Sequence, residues 1–373
     1  MRIYADLKRI LLKWGESKWS LLARALIYGT WPTVKIWRFQ CFKMKRSFVS
    51  KVTACLGIVL TGAMLLGGCG SAKDDTAVRV GAMSGPTAMS MVKIMEDSAA
   101  GNASCNYEFS ELATDASAFV APLTKGELDI ACIPSNLASV IYNKTGGAIE
   151  VLASCNFGVL NVVEKGESIS ALSDLAGKTV YMTGQGAVPE YTVRYLVSLV
   201  GLDLDNDINV VWCADTTEAL SYIKSDEAAV AILPQPFVTA ACAQVEGLRV
   251  AIDLNAEWDS NVEGCSIITG VVVARKEFAE AHPQVIKDFL KEYENSVIYV
   301  NSNPEEASAL IEKYGIVAKA AIAQKALPGC NLAYRTGSEL KELLSGYLGI
   351  LYGQNPASVG GNLPGEDFYY DAD

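Results

Sequence analysis

Histidine is all but missing from this chain: His282 is the single one among 373 residues. Without a second histidine there is no His-based metal cluster. A Ser/His/Asp set would have to recruit His282, which sits in Ala281-His282-Pro283-Gln284 at a helix start. Phosphate-binding signatures are missing too. Gly184-Gln185-Gly186 departs from GxGxxG because Pro189 holds the last position, and no phosphate-loop lysine pattern occurs. The ten cysteines form no CxxC and no zinc-type Cys/His spacing. Seven of them follow residue 69, an odd number that cannot all pair. Contexts such as Ile130-Ala131-Cys132-Ile133 are those of buried free thiols. Asp203, Asp205 and Asp207 fall in a polar turn and read as solvated rather than calcium-binding.

Basic residues are scarce past residue 69. Of 31 Lys/Arg and 42 Asp/Glu, 12 and 2 lie in residues 1–69, so the remainder carries 19 against 40 and a net charge near −21. Nothing there neutralises phosphates, which excludes nucleic acid as a partner. Long apolar runs are absent as well. The stretch from Ala54 to Leu66 falls short of the roughly 20 residues that a membrane-spanning helix needs.

What that stretch does form is a secretory signal. Lys43, Lys45, Arg46 and Lys51 precede the apolar core, and Leu66-Gly67-Gly68-Cys69 ends it before a small, polar tract. A cysteine after two small residues resembles a bacterial lipobox, in which the thiol receives a lipid and becomes the mature first residue. Cys69 is therefore the expected lipidation site, residues 44–68 the signal peptide and 69–76 a tether. Residues 1–43, with four tryptophans among basic residues, read as an extension upstream of a start at Met44; an amphipathic segment on the membrane is the alternative. The protein is expected outside the cytoplasm, lipid-anchored to the cell membrane.

From Ala77 onward strands alternate with helices. Val78–Met83, Tyr107–Leu112 and Asp129–Ile133 read as strands, with helices over Ala88–Ser98 and Ala116–Lys125 and another from Leu137. Val151–Val163 reads as one long strand crossing between lobes. A second βα block follows, and Ser266–Ala274 is the natural return crossing. Helices over Lys276–Tyr299, Pro304–Tyr314, Ala318–Ala326 and Ser338–Leu351 complete the chain. This is an α/β pattern of two lobes, each a sheet flanked by helices, joined by two hinge crossings. Lobe 1 is expected from residues 77–160 and 268–373, and lobe 2 from 161–267.

In such sheets ligands sit beyond the carboxyl ends of strands. Four strand-to-helix junctions share one character: Ser84-Gly85-Pro86-Thr87, Pro134-Ser135-Asn136, Gly184-Gln185-Gly186-Ala187 and Pro234-Gln235-Pro236. Backbone N–H groups at a helix start hold polar or anionic groups without a counter-charge. The candidate binding residues are Ser84, Gly85, Thr87, Ser135, Asn136, Gln185, Gly186, Ala187 and Gln235. Phe157, Tyr181 and Tyr191 are candidates for a flat wall, each also a natural core residue. Ordinary N-capping, worth about 1 kcal/mol, explains any single Ser, Thr or Asn here as well. None of the four loops holds Arg, Lys or His, which favours a neutral, zwitterionic or weakly anionic ligand.

Taken in order, four segments resemble solute-binding lipoproteins of ABC importers, in the group that includes binders of nitrate, sulfonates, taurine and pyrimidine precursors of thiamine. They are Arg79–Thr87 (RVGAMSGPT), Lys125–Asn136 (KGELDIACIPSN), Leu172–Gly186 (LSDLAGKTVYMTGQG) and Ala274–Leu290 (ARKEFAEAHPQVIKDFL). The resemblance implies a type II periplasmic-binding-protein fold that closes on a small solute and docks on a membrane permease. It implies neither catalysis, cofactor nor metal. A ligand-sensing domain for a membrane receptor, and an enzyme on the same fold, are the alternatives.

Overall fold

The structure, a computed structural model, describes residues 76–372. The upstream extension, the signal peptide and the lipidation site at Cys69 lie outside the described residues.

Two five-stranded sheets form the frame. The first has the order β2-β1-β3-β10-β4, from β1 (Ala77–Ala82), β2 (Asn106–Phe109), β3 (Ile130–Pro134), β4 (Ile149–Asn156) and β10 (Gly270–Arg275). The second has the order β7-β6-β8-β5-β9, from β5 (Leu160–Lys165), β6 (Thr179–Thr183), β7 (Asn209–Cys213), β8 (Val230–Pro234) and β9 (Leu248–Asp253). The sheets repeat one plan. In the first, β10 runs antiparallel between β3 and β4; in the second, β5 runs antiparallel between β8 and β9. The strand entering each sheet from its partner thus takes the same slot.

Helices cover both faces. In chain order they are α1 (Pro86–Met89), α2 (Val92–Ala99), α3 (Val120–Lys125), α4 (Ser135–Thr145), α5 (Val188–Leu199), α6 (Thr216–Ser225), α7 (Phe237–Gln244) and α8 (Leu254–Asn261). After β10 come α9 (Lys276–Ala281), α10 (Pro283–Ser302), α11 (Pro304–Lys313), α12 (Ala320–Ala326) and α13 (Gly337–Gln354). One face of the first sheet packs on α2 and α10, whose Val285, Ile286, Phe289, Tyr293, Val297 and Val300 repeat at helical spacing. One face of the second packs on α6 and α7. The remaining faces share a continuous core, and α13 threads it through Leu340, Leu344, Tyr347, Leu348 and Leu351. Tyr347 reaches the second lobe, its hydroxyl 2.8 Å from that of Thr192 on α5. Among the described residues no helix is long and apolar enough to cross a membrane.

Three sequence expectations are corrected here. The apolar run Val151–Val163 is two strands, not one: β4 ends at Asn156, β5 begins at Leu160, and they belong to different sheets. All eight residues of β4 are buried, so an unbroken apolar run conceals where its pairing partners change. The return crossing lies outside any strand up to Thr269, with the ladder starting at Gly270. The helix expected over Lys276–Tyr299 breaks at His282, whose non-helical backbone (φ −129°, ψ 55°) precedes Pro283.

Candidate functional site

Each sheet's parallel strands end toward the other lobe, and the four loops singled out in the sequence follow β1, β3, β6 and β8 there. The two crossings run beside them. The Ser135 amide donates to the Thr269 carbonyl at 3.0 Å, the Gln235 amide to Val159 at 2.9 Å, and the Thr269 amide to Asn156 at 3.1 Å. The loops after β3 and β8 are therefore pinned to the crossings. The loop after β1 reaches them through Thr87: a Cβ on Gly270 would meet Thr87 Cγ2 at 2.6 Å and Asn156 Oδ1 at 2.5 Å.

Side-chain caps are rare among the helix starts: α2, α3 and α9 to α13 have none. Asp215 caps α6 through the amides of Thr217 and Glu218, and Asp253 caps α8 through those of Asn255 and Ala256. Both follow edge strands. The starts of α1, α4, α5 and α7, which follow inner strands, carry no side-chain cap. Capping thus does not account for Ser84, Thr87, Ser135 or Gln185, whereas Gln235 Oε1 accepts the first-turn amide of Thr239 at 3.3 Å.

Their side chains fall into two groups. Some are committed to the protein. The Thr87 hydroxyl donates to Met83 O at 2.5 Å and the Ser135 hydroxyl to Ile268 O at 2.6 Å, both from buried positions. Gln235 Oε1 accepts from the Thr239 hydroxyl at 2.8 Å, and the Gly186 amide donates to Glu190 Oε2 at 2.7 Å. Others keep free capacity. Ser84 is half-buried and Gln185 exposed, and neither side chain has a hydrogen bond among the described residues. Asn136 spends its amide nitrogen on Ser358 O at 3.2 Å and leaves Oδ1 open. Gly85, at φ 106°, takes a backbone that side-chain-bearing residues rarely adopt, and nothing within 4 Å crowds it.

The aromatic candidates make contacts of their own. Tyr181 stacks on Tyr222 (centroids 5.0 Å, interplanar angle 3°), and buried Tyr191 accepts from Asn355 at 3.0 Å. Phe157 lies 5.9 Å beneath the Arg335 guanidinium in a separate cavity of about 500 Å³ along the crossings, lined also by Asn255, Asp259, Asn331 and Glu339. Local charge near the loop after β6 is acidic: Glu190 pairs with Arg194, which also holds Asp205. Asp203 and Asp207 accept amides of their own turn, and among the described residues no His/Cys/Asp/Glu group is placed to hold a metal. Cys132, Cys155, Cys213, Cys242, Cys265 and Cys330 are free thiols, Cys105 donates to the Val285 carbonyl at 3.9 Å, and of these seven only Cys242 is partly exposed.

Two asparagines had no signal in the sequence. Asn255 and Asn331 both bind the backbone of Gly158 in the first crossing, from elements about 75 residues apart.

A family model described as NMT1/THI5 like matches residues 114–307. Among solved structures, the crystal structure of an ABC transporter from Parabacteroides distasonis is 25% identical. The match covers 80% of this chain and 100% of that one, with a TM-score of 0.67. The periplasmic aliphatic sulphonate binding protein SsuA from Escherichia coli is 16% identical over 79% of this chain and 92% of its own, at 0.63. The ligand binding component of an ABC-type import system from Staphylococcus aureus is 14% identical over 80% and 97%, at 0.58. These last two likenesses are of fold alone. No curated protein matches the chain.

Proposed function

The chain belongs to the NMT1/THI5-like family, and from that premise we propose that it is the extracytoplasmic solute-binding component of an ABC importer. Lipid-anchored at Cys69, it captures a small polar or weakly anionic organic solute of the sulfonate, taurine, nitrate or pyrimidine-precursor class. It delivers that solute, chemically unchanged, to a membrane permease.

The observation that carries this reading is placement: two sheets of one plan each end two inner strands in a loop and helix start beside the crossings, and three of those starts, α1, α4 and α5, have no side-chain cap. Uncapped first-turn amides are donors awaiting an acceptor. Ser84, Asn136 Oδ1 and Gln185 supply the adjustable polar contacts. Thr87, Ser135 and Gln235, tied to backbone or neighbouring side chains, give the site its shape, with Gly85, Gly186 and Ala187 allowing close approach.

Electrostatics narrows the ligand. With no basic side chain in the loops and Glu190 already on the Gly186 amide, a multiply charged anion would meet donors of limited strength and one resident carboxylate. A single negative charge, a zwitterion or a neutral amide-like group suits the site better. Capture follows from closure: a ligand touching both lobes favours the closed state only by its differential affinity for that state.

Thermal melting of the purified protein against sulfonates, taurine, nitrate, aminopyrimidines and amino acids tests the reading. A raised midpoint with at least one class is expected. No shift with any, and no small molecule co-purifying by mass spectrometry, would remove its basis.

A further inference from the structure

The first crossing between the lobes is three residues long, Phe157 to Val159, and the two peptide groups flanking its middle residue are each gripped from one side. The Gly158 amide donates to Asn255 Oδ1 at 3.0 Å, and Asn331 Nδ2 donates to the Gly158 carbonyl at 2.5 Å. Asn255 belongs to α8 of the second lobe, where Asp259 orients its amide through a 3.0 Å hydrogen bond. Asn331 belongs to the segment that runs along the edge of β4 in the first lobe: Leu332 pairs with Asn156, and the Phe157 amide donates to Asn331 O at 3.0 Å.

Both grips are closely fitted. A Cβ on residue 158 would stand 2.6 Å from Asn255 Oδ1 and 3.0 Å from Asn255 Cβ, so only glycine admits this approach. Asn331 is the one non-glycine residue at positive φ (47°) among the described residues, a conformation that asparagine tolerates better than most side chains. The cavity of about 500 Å³ lined by Phe157, Asn255 and Asn331 means that the crossing is not packed solid around the clamp.

We propose that Asn255 and Asn331 are positioning residues for solute capture: by clamping the backbone of Gly158 from opposite lobes they fix the rest angle between the lobes. This rests on the capture reading above for its purpose, but not for its test. Either amide alone leaves one of the two peptide groups flanking Gly158 free to rotate, and the lobes then sample a wider range of angles.

The experiment uses the full-length protein without ligand. Asn331→Gly keeps the left-handed backbone and the Gly158 amide bond but removes the side-chain donor. Asn255→Ala removes the opposite grip, and Asn255→Asp restores an acceptor there. Hydrogen exchange of residues 157–160 and small-angle X-ray scattering are read together. In N331G, exchange of the Gly158 and Val159 amides is expected to quicken about two- to tenfold, the range set by one net hydrogen bond, and the scattering-derived size distribution to broaden. N255A behaves alike, and N255D recovers part of the wild-type protection. Wild-type exchange and scattering in both N331G and N255A would overturn the proposal. Because no ligand is present, that result is distinct from a failure to bind solute, which the melting panel reports.

Discussion

The Ser135 hydroxyl donates to the carbonyl of Ile268 at 2.6 Å, joining the start of α4 to the return crossing across 133 positions of sequence. Both groups are buried. Ser135→Ala leaves that carbonyl without its side-chain partner, and a loss of about 1–3 kcal/mol in urea unfolding is expected. A loss under 0.5 kcal/mol would mean that the bond is replaced by another donor.

Gly270 sits where the loop after β1, the first crossing and the return strand converge. Gly270→Ala forces a methyl to within 2.6 Å of Thr87 Cγ2 and 2.5 Å of Asn156 Oδ1. Overpacking of this kind costs about 1–3 kcal/mol. The Ser84–Thr87 loop is displaced with it, so solute affinity should fall together with the melting temperature.

Asp129, fully buried, receives the Arg79 side chain at 2.6 and 2.8 Å, the Arg79 amide at 3.0 Å and Arg275 at 3.2 Å. Burial by itself would raise its carboxyl; hydrogen bonds from Arg79 and Arg275 outweigh it and hold the group below its usual range. The stabilisation is present above the ordinary carboxylate pKa and is lost as pH falls through the lower, folded value. Asp129→Ala removes the partner of half-exposed Arg79 and leaves Arg275 only its pair with Glu277, and should cost about 1.5–3 kcal/mol at neutral pH, measured by urea denaturation.

Glu150 works in the opposite sense. On buried β4 its carboxyl is pushed up to about 7 from an ordinary 4.5, chiefly by desolvation, with Lys276 opposing and Glu280 and Asp367 adding to the rise. Below 4.5 it is protonated in both folded and unfolded chains and costs nothing. Between 4.5 and 7 the unfolded chain releases its proton first, so stability declines with rising pH, by on the order of 3 kcal/mol in all, and levels off above 7. Glu150→Gln should remove this slope, visible as a variant that gains on the wild type between pH 4.5 and 7. Parallel pH profiles for the two proteins would contradict it.

The α/β rhythm and the four loops were legible because inner strands, glycine and proline punctuation and helix periodicity are local signals. Thr87 and Ser135 show the limit. Their residue type marks them as candidates for ligand contact but not that their hydroxyls donate to backbone carbonyls, and the Ile268 carbonyl that claims Ser135 has no mark in the local sequence. Phe157 is a candidate ligand wall because it sits in a crossing, but its place under Arg335, from a segment 178 positions away, has no local signal. Asn255 and Asn331 were invisible for the same reason, since a clamp made of single residues from distant elements leaves no spacing to read. The break at His282-Pro283 was in plain view, and the proline there outweighed an otherwise continuous apolar stripe.

Isothermal titration calorimetry of the wild-type protein with sulfonates, taurine, nitrate, aminopyrimidines and amino acids tests solute capture most directly. The account predicts one-to-one binding by at least one of these. Heats indistinguishable from dilution for every compound at millimolar concentration would contradict it.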